Sequence, residues 1–400
     1  MPHILSNCLL SALLLLAMQA QANAPDTSQC FNNIRQNAAA AGVKTGTINR
    51  VLEHAKIEEK IIALDRKQPE FSTTFADYLG KRVNERRIDT GRALLKSHSV
   101  LLNRLTRDYG IPGRYLVAFW GLETNFGGYM GKKNAISALA TLACDQRRAK
   151  FFMSELVTTM KLVERFNLNP EKMESSWAGA MGQTQFMPST FARYAVDGDG
   201  DNKIDLWKST ADALASGANY LQALGWEKER RWGREVLLPA GFDWTQTGRQ
   251  IKKSLAEWRA LNVRTATGQK LPDIEDMHAA VIVPAGHKGP AFIVYENFKV
   301  IMGWNRSEYY ALSVGLLADR LAGAGELRRA APSGKGLRRS DVKTIQAALN
   351  TLGFESGKPD GIVGAATRKA VRAYQLQQGL IADGFPDSEV LRRLQNLPKA

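Results

Sequence analysis

Residues 111–128, IPGRYLVAFWGLETNFGG, decide how the rest of the chain is interpreted. Pro112 suits the first turn of a helix, where its missing N–H has no intrahelical partner to lose. Leu116, then Phe119 or Trp120, and then Glu123 follow at helical spacing on one apolar face. The spacing therefore predicts a helix that carries Glu123 near its carboxyl end, just before a pair of glycines.

Two effects raise the pKa of a carboxyl in that position. Partial burial disfavours the charged form, and the negative end of the helix dipole disfavours it again. A carboxyl that stays protonated near neutral pH can donate a proton to a glycosidic oxygen. The spacing alone is equally compatible with a structural glutamate that braces a neighbouring loop through hydrogen bonds.

A second stretch, residues 174–191, reads ESSWAGAMGQTQFMPSTF and mixes small residues, neutral polar groups and aromatic rings. Its serine and glutamine side chains offer hydrogen bonds without charge, and Trp177 and Phe186 offer flat apolar faces. This mixture suits a sugar, whose hydroxyls need amides and whose ring faces need aromatics. A tight crossing of two helices would also select the small residues, so both explanations remain open for this stretch alone.

Together with residues 296–315 (ENFKVIMGWNRSEYYALSVG), these stretches resemble the B-type lytic transglycosylases. The resemblance runs from about residue 28 to 325. It implies a lysozyme-like, mostly α-helical catalytic domain over residues 26–327 that cleaves peptidoglycan between N-acetylmuramic acid and N-acetylglucosamine. It also implies that the muramyl 6-hydroxyl attacks its own anomeric carbon and leaves a 1,6-anhydro end.

The resemblance assigns roles to individual residues. Glu123 aligns with the catalytic acid, which then accepts the proton of the 6-hydroxyl, so that no second carboxylate or cofactor is required. Trp304 stands where this family often has Tyr, which removes any function that depends on a phenol there. Four residues are expected to line the sugar site: Ser176, Gln185, Asn305 and Tyr310.

An acidic segment, residues 197–205 (DGDGDNKID), resembles a calcium-binding loop. It departs from the standard loop, since Asn202 replaces the usual Gly and Lys208 replaces the closing Glu. The family resemblance offers a later closing residue in a lengthened loop. An exposed acidic loop paired with Arg or Lys is the alternative. The predicted ligands of a structural Ca²⁺ are Asp197, Asp199, Asp201, the backbone carbonyl of Lys203 and Asp212.

The amino terminus predicts export. Residues 9–17 (LLSALLLLA) form a short apolar run followed by small residues, which is typical of a secretory signal peptide over residues 1–24 with cleavage after Ala22 or Ala24. Beyond it, no other run approaches the length of a transmembrane helix. We therefore expect a soluble, periplasmic product with no transmembrane segment.

Cysteine use agrees with that compartment. Cys8 would leave with the signal peptide, and Cys30 and Cys144 remain as an even pair in an oxidising setting. One disulfide between them would tie the amino-terminal segment to the domain body. Two buried free thiols are the alternative.

The formal net charge of +15 favours a polyanionic partner. Nucleic acid, an anionic membrane surface and the bacterial wall all fit, and a solvated basic surface without a partner is the plain alternative. Export argues against nucleic acid. We therefore expect peptidoglycan as the partner of a monomeric enzyme, with other cell-wall enzymes as further candidates.

The spacing of apolar residues and the position of β-branched runs predict the secondary structure of the chain. Residues 26 to about 230 have helical apolar spacing, whereas residues 281–301 contain β-branched and aromatic runs that predict a small β hairpin. A final helix is predicted from about residue 307 to 322. Residues 328–336 (RRAAPSGKG) then have the composition of a linker.

Residues 337–397 repeat a short motif, because Asp360-Gly361-Ile362 and Asp383-Gly384-Phe385 each precede a helix. The segment resembles the small three-helix peptidoglycan-binding domain of wall hydrolases. Such a domain would hold the enzyme on its insoluble substrate and raise its local concentration.

Two other functions remain compatible with the sequence. A hydrolytic muramidase on the same scaffold would need a second acid across the sugar, for which Asp145, Glu155 or Glu174 are candidates. A non-catalytic wall-binding protein would not depend on Glu123. A nucleophilic enzyme is poorly supported, because the sequence has no G-x-S-x-G motif.

Overall fold

The computed structural model describes residues 27–67 and 73–396. The predicted signal peptide and Cys8 lie outside these described residues. Within them the chain is mostly α-helical, as the sequence predicts, and six helices precede the segment that carries Glu123. These are α1 (Thr27–Ala40), α2 (Thr45–Glu53), α3 (Glu59–Lys67), α4 (Phe75–Arg82), α5 (Glu85–Ser97) and α6 (Ser99–Tyr109).

The middle of the chain continues this helical pattern up to the sheet. Its elements are α7 (Gly113–Thr124), β1 (Lys133–Asn134), α8 (Ala135–Cys144), α9 (Ala149–Phe166), β2 (Glu174–Ser175), α10 (Pro188–Tyr194) and α11 (Thr210–Ala223). Polar side chains begin several of these helices, since Asn84, Asn134 and Ser209 accept backbone N–H groups of the first turns of α5, α8 and α11.

A five-stranded antiparallel sheet follows, in the order β4-β6-β7-β3-β5. Its strands are β3 (Gly233–Leu237), β4 (Lys253–Ser254), β5 (Arg264–Thr265), β6 (His278–Ile282) and β7 (Ala291–Val294), with α12 (Leu255–Ala260) between β4 and β5. In β6 and β7, Val281 pairs with Ile293. Alternate residues therefore face opposite sides, and both sides are buried.

The sheet corrects two predictions about residues 281–301. The hairpin exists as β6 and β7, but it belongs to a larger sheet because β3 pairs with β7 across a long stretch of chain. The run FIVYENFKVI is also only partly extended, since α13 (Glu296–Trp304) begins two residues after β7. A last helix, α14 (Glu308–Leu321), ends the unit where the sequence predicted it.

Two large hydrophobic clusters form the helical body. One gathers α7, α11, α13, α14 and one face of the sheet, and the other gathers α1 to α3 and α8 to α10. Trp304 is partly buried and packs against both clusters. The seam between the two clusters therefore runs past the end of α13.

The carboxyl-terminal module contains three helices, as predicted: α15 (Arg339–Thr351), α16 (Ala365–Gln377) and α17 (Ser388–Gln395). Its two Asp-Gly turns repeat one hydrogen-bond pattern. The side-chain oxygen of Gln346 accepts the Gly361 N–H at 2.8 Å. In the second turn, Gln375 accepts the Gly384 N–H, also at 2.8 Å.

The module is docked on the domain that precedes it. Asp383 is only 3% exposed, and its Oδ2 accepts the backbone N–H of His287 at 2.8 Å while the His287 Nδ1 lies 2.7 Å away. Arg372 donates to the carbonyl of Thr247 at 2.9 Å. Gly286 permits this approach, because a Cβ there would lie 2.8 Å from Asp383 Oδ2.

The segment predicted as a linker also makes contacts. The backbone N–H groups of Arg328 and Arg329 both donate to the Glu235 carboxylate at 2.9 Å.

Among the described residues, no helix is both long and apolar enough to cross a membrane.

Candidate active site

Helix α7 carries Glu123 to the seam between the two hydrophobic clusters. Nine of its twelve residues are buried, and the helix stops abruptly after Thr124. Asn125 and Phe126 adopt left-handed backbone conformations with φ of 51° and 62°. Such conformations are costly for residues other than Gly, and they recur where a fold positions a functional group.

The Glu123 carboxyl receives two hydrogen bonds on the same oxygen. The indole N–H of Trp304 donates to Oε1 at 2.9 Å, and the hydroxyl of Tyr310 donates to that oxygen as well. The donors come from the last residue of α13 and the first turns of α14. Helices α13 and α14, whose donors follow Glu123 by 181 and 187 residues, therefore converge with α7 on one carboxyl group.

Burial controls the protonation of this group. Glu123 keeps some contact with solvent, but the surrounding protein raises the pKa of its carboxyl to about 7. The hydrogen bonds from Tyr310 and Trp304 and the charge of Arg82 act in the opposite direction, since each favours the carboxylate. A carboxyl with a pKa in this range can both donate and accept a proton near neutral pH.

The second motif packs against the turn that follows α7. The Thr124 hydroxyl donates to the carbonyl of Gln183 at 2.9 Å, and the Gln185 amide donates to the carbonyl of Met130 at 3.1 Å. Gly131 has φ of 100°, and a Cβ there would lie only 2.0 Å from the Ser175 carbonyl oxygen. Close backbone contact thus fixes this loop beside the end of α7.

The structure gives different surroundings to the four predicted sugar-site residues. Tyr310 is 3% exposed and contacts Glu123 directly, whereas Asn305 is exposed at the end of α13. The Ser176 hydroxyl accepts the Ala180 N–H at 3.2 Å, which shapes its loop. Sugar contacts by Ser176, Gln185, Asn305 and Tyr310 stay a prediction.

Two of the alternative second acids are held in structural contacts. Both carboxylate oxygens of Glu155 accept hydrogen bonds from Ser189, one from its backbone N–H at 2.9 Å and one from its hydroxyl at 2.7 Å. Asp145 accepts a hydrogen bond from Arg66 at 2.8 Å. Glu174 is exposed and lies in β2 opposite Asn134.

The acidic loop brings together three of the predicted calcium ligands. Carboxylate oxygens of Asp197, Asp199 and Asp212 lie within 4.8 Å of one another, and Asp201 is not part of this group. None of the salt bridges among the described residues involves these carboxylates. Clustered oxygen donors without a basic partner fit a hard cation such as Ca²⁺.

Backbone N–H groups and burial shift the pKa values of the carboxyls that converge here. The N–H of Gly200 lowers the pKa of Asp197, and that of Asn202 acts in the same direction. Asp212 is buried, and burial raises the pKa of its carboxyl although the N–H of Asp205 opposes this. The Lys203 N–H donates to Asp201, which occupies that side chain inside the loop.

Cys30 and Cys144 are joined by a disulfide, with their Cα atoms 5.8 Å apart. The bond links α1 to the end of α8. It closes a loop over a sequence separation of 114 residues. A cross-link over so long a loop restricts the unfolded chain strongly.

The sequence of the chain matches two known protein families. Residues 26–319 match the model of the Transglycosylase SLT domain family, and residues 338–394 match a peptidoglycan binding domain family. The chain therefore belongs to the SLT transglycosylases and carries a peptidoglycan-binding domain behind the catalytic domain. The predicted family and the predicted enzyme class are confirmed.

Particular relatives have known names and structures. SltB3 from Pseudomonas aeruginosa, solved in complex with NAG-anhNAM-pentapeptide, is 42% identical, with a TM-score of 0.89 over 92% of this chain and 99% of that chain. Membrane-bound lytic murein transglycosylase B of Escherichia coli (strain K12) is 29% identical over 316 residues, which is 75% of this chain and 84% of that protein.

A third relative was solved with calcium. The Escherichia coli lytic transglycosylase Slt35, solved in complex with calcium, is 29% identical, with a TM-score of 0.64 over 75% of this chain and 94% of that chain.

Two features of the site were not predicted from the sequence. Trp304 was given no function, although its indole N–H contacts Glu123; the signal was a large aromatic residue directly before Asn305 in the third motif. Thr124, whose hydroxyl joins α7 to the loop at Gln183, was also missed. A threonine next to the glutamate carries no signal of its own.

Proposed function

We propose that this enzyme cleaves the β-1,4 bond between N-acetylmuramic acid and N-acetylglucosamine without water. Glu123 donates its proton to the glycosidic oxygen, and the bond from that oxygen to the muramyl C1 breaks. The muramyl O6 then bonds to C1, and the proton of the 6-hydroxyl passes to the Glu123 carboxylate. Glu123 acts as acid and then as base, and the product carries a 1,6-anhydro end.

The observation that carries this proposal is the Glu123 carboxyl, which still reaches solvent and whose pKa the surrounding protein raises to about 7. A group with this pKa is protonated often enough to act as an acid and is basic enough to recover the proton. The structural contacts of Glu155 and Asp145 support a site with one working carboxylate. The anhydro muramyl ligand of SltB3 is consistent with the same product here.

Product analysis tests the proposal against hydrolysis. Purified peptidoglycan sacculi would be digested with the full-length mature enzyme, and the released fragments analysed by mass spectrometry. We expect muramyl ends that are lighter than reducing ends by one water molecule. A digest containing only reducing ends would instead establish a hydrolytic muramidase, and an intact sacculus would establish a non-catalytic wall-binding protein.

We also propose that the acidic loop binds one structural Ca²⁺. The three converging carboxylates, and their lack of a basic partner among the described residues, support this site. Such an ion would stabilise the loop and its attachment to α11 and would take no part in the chemistry. The calcium complex of Slt35 supports the proposal by similarity.

The remaining proposals concern the cellular setting. We propose a monomeric, periplasmic enzyme that is exported by cleavage after Ala22 or Ala24, with a catalytic domain over residues 26–327, a connecting segment 328–336 and a wall-binding module over residues 337–397. Amino-terminal sequencing of the secreted protein and sedimentation analysis would test the cleavage site and the oligomeric state. A cytoplasmic, uncleaved product would contradict the export proposal.

A further inference from the structure

Glu123 uses its two carboxylate oxygens unequally. Oε1 accepts hydrogen bonds from the Trp304 indole N–H at 2.9 Å and from the Tyr310 hydroxyl. In residues 27–67 and 73–396, no group donates a hydrogen bond to Oε2. An oxygen that already faces two donors is a poor place for a proton, because an O–H there would point at N–H and O–H hydrogens. The geometry therefore favours protonation on Oε2.

We propose that Trp304 is a positioning residue whose indole N–H holds Oε1 of Glu123, so that the catalytic proton sits on Oε2. The inference rests on the proposed role of Glu123 as acid and base. It adds which atom carries the proton and which side chain selects that atom.

An indole is well suited to this role. Its N–H lies in the plane of the ring, cannot rotate away, and acts only as a donor. A hydroxyl, by contrast, can turn and also accept a hydrogen bond. Trp304 therefore keeps donating to Oε1 whether Glu123 is protonated or ionised, and it cannot take the proton itself.

The Trp304 ring is held on several sides. It lies 4.5 Å from the Phe119 ring, 5.3 Å from Phe186 and 5.3 Å from Tyr220, measured between ring centroids. The ring edge also lies beside α11, since a Cβ at Gly217 would meet it at an ordinary contact distance of 3.5 Å. A donor fixed by packing before the reaction begins needs no reorganisation during it.

The charged and titratable neighbours of Glu123 are few in the described part of the chain. They are Tyr310 on α14 and Arg82 on α4, and Tyr78 of α4 faces Tyr310. Burial raises the pKa of the Tyr310 hydroxyl far above its ordinary range, so this group stays protonated near neutral pH. Removing the Trp304 N–H would therefore change the pKa of Glu123 without replacing one charge by another.

The variant Trp304→Phe tests the proposal, because it keeps an aromatic ring and removes the donor. We expect kcat to fall about tenfold and the alkaline limb of the pH–activity profile to move up by about one pH unit, since a lost hydrogen bond to the carboxylate raises its pKa. A structural role alone would lower activity and leave that limb in place. That outcome would overturn the proposal.

Tyr220→Phe is the matched control. It keeps the ring that packs on Trp304 and removes a hydroxyl that lies 3.4 Å from the Gly303 carbonyl oxygen. We expect its alkaline limb to coincide with that of the wild type. A limb shifted as far as in Trp304→Phe would mean that a change beside Trp304 moves the pKa even though the indole N–H is kept, and would overturn the proposal.

A second measurement needs no Trp variant. The chain has eight tryptophans, and their indole ¹⁵N–H resonances can be followed against pH in the full-length protein. We expect one resonance to titrate with Glu123 and to stay fixed in Glu123→Gln. That comparison is necessary because His98 lies near Trp120 and His287 near Trp244. If no indole resonance loses its titration in Glu123→Gln, the proposal is wrong.

The two levels of inference fail in different ways. Wild-type enzyme that releases anhydro ends, together with an unmoved limb in Trp304→Phe, would reject the role of Trp304 and leave the proposed function intact. Wild-type enzyme that releases only reducing ends would reject the anhydro product and leave the indole titration to be judged on its own.

Discussion

Two regions of the molecule treat carboxyl groups in opposite ways. At the seam between the two hydrophobic clusters, burial among aromatic rings raises the pKa of Glu123 to about 7. In the acidic loop, the backbone N–H of Gly200 lowers the pKa of Asp197. The same functional group thus becomes an exchangeable proton donor in one place and a fixed negative charge in the other.

The difference comes from what surrounds each oxygen. Glu123 has two side-chain donors and is largely surrounded by protein, so the cost of removing its charge from solvent dominates. Asp197 accepts N–H groups from Gly200 and Asn202 at 2.6 Å and 2.8 Å, which replace the water that it would otherwise bind. One arrangement suits proton transfer, and the other suits a cation.

The largest expected effect is the loss of activity in Glu123→Gln. Since the amide cannot donate and recover the proton, release of soluble fragments from sacculi should fall about 10³-fold or more. Binding to sacculi in a pelleting assay should persist. Glu171→Gln, at an exposed glutamate that pairs with His54, is the control and should keep wild-type activity. Substantial activity in Glu123→Gln would remove the contrast between the two regions.

The pH profile sharpens the contrast further. Glu123 must be protonated to act as the acid, so kcat/KM should fall above a pH of about 7, by about tenfold per pH unit. Asp197→Asn should leave this limb in place, because the acidic loop does not transfer protons. An alkaline limb that starts well below pH 6 would contradict the raised pKa of Glu123.

Stability should respond to the same carboxyl with a definite sign. The folded protein holds the Glu123 proton more tightly than the unfolded chain does, so this contribution is full below the ordinary Glu pKa and is lost as pH rises to about 7. Glutamine does not ionise, so the Glu123→Gln variant does not lose this stability as the pH rises. The variant should therefore be more stable than the wild type at pH 8, by at most about 3 kcal/mol.

Denaturant unfolding at two pH values tests this prediction. The difference between Glu123→Gln and the wild type should be largest at pH 8 and close to zero at pH 4. An equal difference at both pH values would assign it to packing instead of charge.

The smallest expected effect belongs to calcium. An ion bound only by the folded state raises stability by mass action, so Ca²⁺ should raise the Tm by a few degrees relative to EGTA. Asp199→Asn should abolish this rise, because Asp199 is exposed and belongs to the converging group. Asp201→Asn, outside that group, should retain the rise. If the rise in Tm is lost in both variants, Asp201 is a calcium ligand as the sequence predicted.

The sequence predicts the parts of the fold in which helical spacing is sustained over many residues or in which a recognisable motif occurs. Helical spacing places Glu123 on a buried face of α7, and the three helices of the module follow from the same kind of signal. The five-stranded sheet was missed because two of its strands are only two residues long and pair with strands from other parts of the chain.

Local preference also misled at α13. Val300 and Ile301 favour a strand when considered alone, yet both are buried in the helical cluster, and Asn297 anchors the first turn by accepting the Glu227 N–H at 2.8 Å. The contact of Trp304 with Glu123 depends on a side-chain orientation and on the packing of three helices. Neither has a pattern in the sequence.

The docking of the carboxyl-terminal module changes what an anchor does. A module on a flexible tether only keeps an enzyme near its substrate. Asp383 and Arg372 instead fix this module on the catalytic body, through His287 and Thr247. A wall strand held by the module would meet Glu123 at a constant offset, so the anchor would set the spacing of cuts along the strand as well as the dwell time of the enzyme.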